Sequence, residues 1–369
     1  MKLFECQYCG QLLYFENTRC ERCGHVLGYL PELTLLSALA PQEGWWRPLA
    51  APGQTSTFCA NAAHGACNWL VPAGAGPFCS ACRLNRTIPN LDSPEHLLLW
   101  QRLEAAKHRM VYGLLRLGLP LVSKAEDPTG LAFDFLADSG SAWQDSPQIM
   151  TGHAEGLITI NIAEADDAER ERRRQDMAEP YRTLLGHFRH EVGHYYWERL
   201  VRGGPWHEPF RALFGDESED YGASLDRHHT NGPPADWQER FVSAYASAHP
   251  WEDWAETWAH YLHVIDTLET AHAFNLRLRP QAGADPALAM AADVDPYEHA
   301  EFDALIRAWL PLTYAVNSLN RSMGQPDLYP FALAEPVVAK LGFIHDLVGR
   351  SRGCAETGAY RPSEPSAPS

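Results

Sequence analysis

His190, Glu191 and His194 fall in the stretch HFRHEVGHYYWERL, residues 187–200, at the spacing of a metal-assisted hydrolytic centre. On a helix, histidines four apart share one face, so both imidazoles can reach one ion. Glu191 then sits beside that face, where its carboxylate can hold and deprotonate a water. The flanks TLLGHFR and YYWERLV contain no proline and suit a helix interior. A zinc centre of this kind takes a third protein ligand and keeps a fourth position open.

Position tests narrow the third ligand. An elongated signature with a third histidine would put Gly at 197 and His at 200, where the chain has Trp197 and Leu200. A glutamate some twenty residues downstream would fall near Phe214. The loop GDESEDYG holds Asp216, Glu217 and Asp220, read as a polar loop or helix cap, with Ser218 where an aspartate ligand would stand. The better candidate is YASAHPWEDWAETWAHYLH, residues 245–263. Pro250 suits a helix start, and Glu252 and Glu256 then lie one turn apart on one face. Glu252 is the expected third ligand, and Glu256 is expected to accept a hydrogen bond from a ligand histidine. Trp251, Trp254 and Trp258 share another face and are expected in the core. His187 is either a supporting residue of the centre or a surface histidine, and His249, His260, His228 and His229 stay open as alternative ligands.

Eight of the nine cysteines lie before residue 83, in pairs that suit metal better than disulfides. Cys6, Cys9, Cys20 and Cys23 form two Cys-x-x-Cys knuckles, the pattern of a closed tetrahedral zinc site. A module of about 30 residues buries too little apolar surface to fold without such a staple. Cys59, Cys67, Cys79 and Cys82 form a looser group, with NWLVPAGAGPF between them read as a short hairpin and His64 open as a substitute ligand. Both sites, four-coordinate with protein ligands, are expected to be structural. Cys354 stands alone and reads as an incidental thiol.

The elements that must position these groups follow from pattern. The expected organisation is a first ribbon at 1–30, a Pro/Gly/Ala-rich linker at 31–56, a second ribbon at 57–90, a body at 91–350 and a disordered tail at 351–369. The body predicts an α+β fold. Ser93-Pro94 starts a helix, LAFDFLAD and GLITINIAEA read as strands, DDAERERRRQDMAE as a charged helix, and further helices fall near 181–202, 235–248, 251–276, 296–310 and 336–349. GLITINIA is the candidate sheet edge for an extended peptide.

The formal charge is −17 over 369 residues, with six Lys/Arg against five Asp/Glu through residue 90 and 24 against 42 beyond it. Neither part has the basic footprint of a nucleic-acid binder, so the ribbons are expected to meet a protein partner. No leader-like start or membrane span is read, which places the chain in the cytoplasm by expectation.

His190-Glu-Val-Gly-His194 with Glu252-Asp-Trp-Ala-Glu256 resembles the gluzincin arrangement of the lethal-factor and Pro-Pro endopeptidase type. In that type a tyrosine seven residues before the ligand glutamate stabilises the transition state, which here marks Tyr245. The chain also resembles the zinc-binding metallopeptidases that carry an N-terminal zinc ribbon. The shared phrases are CNWLV, CSACRLNRTIPNL, TGHAEGLITINIAEAD, HFRHEVGHYYW, FGDESEDY and HPWEDWAETWAHYLHVIDTLETA, spread up to about residue 350. The resemblance implies a zincin-like, mainly helical domain with a small sheet, one catalytic and two structural Zn2+ ions, and a peptide or protein substrate. Two readings stay open: a peptidase, or an idle centre whose ribbons bind a protein.

Overall fold

The computed structural model describes residues 1–138, 151–176, 183–283, 285–298 and 301–356. Strands β1 (Phe4–Glu5) and β2 (Leu12–Leu13) form a hairpin whose turn carries the first cysteine pair, Cys6 and Cys9. Gly10 and Gly24, each directly after a Cys-x-x-Cys, have φ of 72° and 75°, the left-handed backbone that lets each knuckle turn back.

The expected linker at 31–56 is a correction. A five-stranded antiparallel sheet runs in order through β3 (Leu27–Leu30), β4 (Leu35–Gln42), β5 (Trp45–Pro48), β6 (Ser56–Phe58) and β7 (Leu70–Pro72). Prolines and glycines here mark strand ends and tight turns, while Leu36, Ala38 and Leu39 are buried. The hairpin read within NWLVPAGAGPF is also corrected: its single strand β7 pairs with β6, upstream of it.

The boundary at residue 90 is crossed by hydrogen bonding. Strand β8 (Asn85–Thr87), three residues beyond Cys82, pairs in parallel with β9 (Ala132–Leu136) of the body. That four-stranded mixed sheet has the order β10 (Gly152–Ala154), β11 (Leu157–Asn161), β9, β8. GLITINIA therefore lies inside the sheet, and β10, antiparallel to β11, is the edge. One apolar core joins the ribbon side chains Phe15, Tyr29 and Trp69 to Tyr112 and the body.

Around the sheet lie α1 (Pro94–Arg116), α2 (Asp167–Asp176), α3 (Leu184–Leu200), α4 (His207–Phe214), α5 (Tyr221–Asn231), α6 (Pro250–Ala273), α7 (Phe302–Ser322) and α8 (Glu335–Glu356). A short ribbon of β12 (Arg277–Leu278) and β13 (Met290–Ala291) follows α6. The mixed helix-and-sheet body agrees with expectation. The helix expected at 235–248 does not form: two single 3-10 turns, Trp237–Glu239 and Tyr245–Ser247, stand in its place. Helices α4 and α5 were not anticipated, and α7 begins later and runs longer than the 296–310 expected. Of the expected tail, residues 351–356 continue α8, while 357–369 lie outside the described residues, as do 177–182 and 299–300 at the ends of expected helices.

Candidate metal centre

Two helices bring the centre together. Thr183 caps α3 by accepting from Gly186 N at 3.0 Å, and the helix then sets His187, His190, Glu191 and His194 along one side. Pro250 is the first residue of α6, capped by the His249 ring, which accepts from Trp251 N at 3.1 Å. Gly193 lets the two helices approach. A Cβ there would stand 3.2 Å from the backbone of Ala255 and from Trp258. Trp254 Nε1 donates to the Gly193 carbonyl at 2.8 Å, locking the crossing.

That crossing delivers Glu252 to the two histidines. Its Oε2 is 3.0 Å from His190 Nε2, and its Oε1 is 3.6 Å from His194 Nε2, with all three side chains buried. One donor atom from each lies within 4.8 Å of the others. His190 Nδ1 donates to Glu256 Oε1 at 2.7 Å, and Ser243 Oγ donates to Glu256 Oε2 at 2.7 Å. In that neutral tautomer the Nε2 of His190 carries a lone pair, yet it faces Glu252 Oε2, which accepts no well-aligned hydrogen bond. Two lone pairs at that spacing repel unless a proton or a cation lies between them.

The ionisation tendencies agree. Burial opposes charge on His190, but Glu252 and Glu256 on its two sides hold its pKa well above the usual value. Burial likewise opposes the Glu252 carboxylate, yet His194, His190 and Tyr221 bring its pKa down to about 2. His194 is pushed down, chiefly by burial, which favours the neutral ring. A divalent cation can replace the proton between His190 and Glu252, so binding it releases that proton. Two imidazoles and one carboxylate are a donor set that fits zinc with an open position.

The groups around this convergence differ in how legible they were. His187 Nε2 lies 3.1 Å from Glu191 Oε1, and its Nδ1 is 2.6 Å from Glu164 Oε2. It is thus a supporting residue, and its pKa is raised to about 9, the two glutamates outweighing burial. Burial works against the Glu191 carboxylate too, but His187 and the other histidines keep its pKa low. Tyr221, missed in the sequence, donates to Glu252 Oε1 at 2.7 Å. Tyr245 has its ring centroid 6.0 Å from that of His190. Burial and the surrounding carboxylates push the Tyr245 pKa up, so the phenol keeps its proton.

Trp251 departs from the expected core face: its ring lies 4.0 Å from that of His194, while Trp254 and Trp258 are fully buried. His153, on edge strand β10, stacks near His194 at 6.0 Å. The alternative histidines do not join the three-residue donor set. His249 caps α6, His260 meets the Tyr329 hydroxyl at 2.7 Å, and His228 and His229 lie on α5, with the His228 ring centroid 6.1 Å from that of Tyr245. In the acidic loop, Asp220 caps α5, Asp216 accepts from Ser218, and Glu217 pairs with Arg211 and His207.

The cysteines gather as two groups, Cys6 with Cys9, Cys20 and Cys23, and Cys59 with Cys67, Cys79 and Cys82. Sulfur separations of 3.7 Å (Cys6–Cys23), 3.6 Å (Cys9–Cys20) and 3.8 Å (Cys67–Cys79) match the edge of a tetrahedron with ligands at about 2.3 Å, which is about 3.8 Å. Both groups therefore fit a zinc ion. His64 is absent from the second group and packs near Trp100 instead, whereas His108 of α1 is in contact with it.

Residues 3–93 match the model of a zinc-ribbon domain, and residues 96–347 match that of a family described as "Putative zinc-binding metallo-peptidase". Three relatives, one from Mycobacterium bovis and two from strains of Mycobacterium tuberculosis, are described only as uncharacterized proteins. Each is 43% identical over 352 residues, spanning 94% of this chain and 95% of its own. No solved structure matches the chain. The matched region holds His190, His194 and Glu252 together with the sheet and helices around them, and through it the chain belongs to that zinc-binding metallo-peptidase family.

Proposed function

We propose that the chain is a zinc-dependent peptidase of the gluzincin type, with a zincin-like body and His190, His194 and Glu252 as ligands. The observation that carries the reading is the buried convergence of one donor atom each from His190, His194 and Glu252, all within 4.8 Å of one another. A zinc ion held there would supply Lewis acidity to a water and to a peptide carbonyl. Glu191 takes the proton of the attacking water and hands it to the leaving amine. His187, anchored by Glu164, holds the Glu191 carboxylate in its working orientation. Tyr245 keeps its proton and donates a hydrogen bond to the carbonyl oxygen as negative charge grows on it. Tyr221 restrains Glu252, and Glu256 fixes the tautomer of His190.

The edge strand β10, whose one strand partner among the described residues is β11, is where an extended peptide would add. The two cysteine groups would each hold one structural zinc, for three ions per chain. Cysteines spaced for metal rather than disulfides suit a reducing compartment, which favours the cytoplasm. No helix among the described residues is long and apolar enough to cross a membrane. A protein partner at the nearly neutral ribbons completes the reading.

The test pairs zinc counting with turnover on a peptide mixture. Wild type should carry three ions and Glu252→Ala about two, while Glu191→Gln should keep three and lose cleavage. Normal cleavage by Glu191→Gln would remove the base from the mechanism. An unchanged zinc count in Glu252→Ala would remove the centre itself.

A further inference from the structure

The second cysteine group contains one donor too many. His108 Nε2, on α1, stands 3.3 Å from Cys67 Sγ, 3.6 Å from Cys82 Sγ and 3.9 Å from Cys79 Sγ. A tetrahedral zinc with sulfur at about 2.3 Å and imidazole nitrogen at about 2.05 Å has nitrogen–sulfur edges of about 3.6 Å. The mean of the three contacts meets that value. The ring is also prepared for the role. Its Nδ1 donates to the Glu104 carbonyl at 2.6 Å, which leaves the lone pair on Nε2, aimed at the sulfurs. Trp69 holds the ring edge-on, with centroids 5.0 Å apart.

Glu104, the nearby carboxylate, is held on one side: its Oε1 accepts from Lys107 Nζ at 2.7 Å and from Asn85 Nδ2 at 2.9 Å. Its Oε2 accepts from Cys82 Sγ at 3.5 Å and so touches one sulfur of the group, where His108 Nε2 meets three. A cavity of about 330 Å³ is lined in part by Cys67, His108, Asn68 and Gln101.

We propose that this is a five-donor zinc site. Two tetrahedra share the face Cys67–Cys79–Cys82, one completed by Cys59 and the other by His108. The ribbon can then keep its metal when Cys59 is lost, because α1 of the body supplies the replacement ligand. The proposal is independent of the centre at Glu252, whose ion is lost or kept separately.

The experiment counts zinc by elemental mass spectrometry in the full chain, comparing wild type with Cys59→Ala, His108→Ala, the double variant and Cys79→Ala. Each of the first two single variants should hold the wild-type count. The double variant should lose one ion, as should Cys79→Ala, which removes a donor common to both tetrahedra. X-ray absorption at the zinc edge of Cys59→Ala should show one sulfur exchanged for one nitrogen. Loss of an ion from Cys59→Ala alone, or a full count in the double variant, overturns the proposal. Should Cys59→Ala not fold, the decision passes to His108→Ala, which keeps all four cysteines. Zinc transfer from its ribbon to a colorimetric chelator should be about tenfold faster than in wild type, and an unchanged rate overturns the proposal.

Discussion

Glu256 accepts the Nδ1 proton of His190 at 2.7 Å while its other oxygen takes the Ser243 hydroxyl at 2.7 Å. The carboxylate is thus fixed at both ends, and so is the imidazole it orients. Replacing it with glutamine keeps the size but removes the charge that raises the basicity of the histidine. Glu256→Gln should weaken zinc at this centre by about 10- to 100-fold in competition with a chelator. Ser243→Ala should do the same more weakly. Equal affinities would mean that the pair is a packing contact.

The two tyrosines should separate cleanly. Tyr221 touches Glu252, so Tyr221→Phe is expected to act on metal retention first. Tyr245 touches no donor atom of the set, so Tyr245→Phe should keep zinc and lower kcat by about a hundredfold. The measurement is a zinc titration and a peptide kcat for each variant. A Tyr245→Phe enzyme with wild-type kcat would sink the assignment.

His187 bridges Glu164 and Glu191. Its replacement by glutamine should lower kcat at least about tenfold, while leaving zinc bound, since general bases lose efficiency when misoriented. The low-pH limb of the rate profile should also move to higher pH, because the hydrogen bond and charge of His187 hold the Glu191 pKa down against burial. A uniform drop at every pH would assign His187 to folding instead.

How much of this could be read from the chain alone depends on distance along it. The four-residue spacing of His190 and His194 and the Pro250 start before Glu252 are local patterns, so those residues were legible. Tyr221 stands 31 residues before the carboxylate it binds, and His108 stands 41 after Cys67, with no periodic signal linking either pair. The helix expected over 235–248 failed for a visible reason. The Ser243 hydroxyl accepts from Ala246 N and donates to Glu256, which favours a tight turn over a regular helix. The linker reading failed because composition marks breaks between elements but not pairing: β4 and β5 find each other through the register Leu39↔Pro48 to Gln42↔Trp45.

Acid should weaken the loop after α4 through Glu217. Arg211 holds the Glu217 carboxyl down to about 2, with burial opposing and His207 assisting. A depressed folded pKa contributes stability above the unfolded value of about 4.3, and that contribution fades as pH falls toward 2. Arg211 is about one-third exposed, at 35%, so screening leaves about 1 kcal/mol. Glu217→Gln should therefore lower Tm by about 2 °C at pH 7, with the gap to wild type narrowing below about pH 4.5. A gap that widens in acid would contradict the sign.

The pairing of Asn85–Thr87 with Ala132–Leu136 has a consequence for anyone shortening the chain. A fragment starting at residue 91 would lack β8 and leave β9, with Phe133 and Phe135 buried in the intact chain, as a naked hydrophobic margin. Such margins recruit strands from neighbouring molecules, and the fragment should precipitate or form fibres. It would also lose the sulfurs that His108 faces. The ribbon and the body should therefore be expressed as one piece.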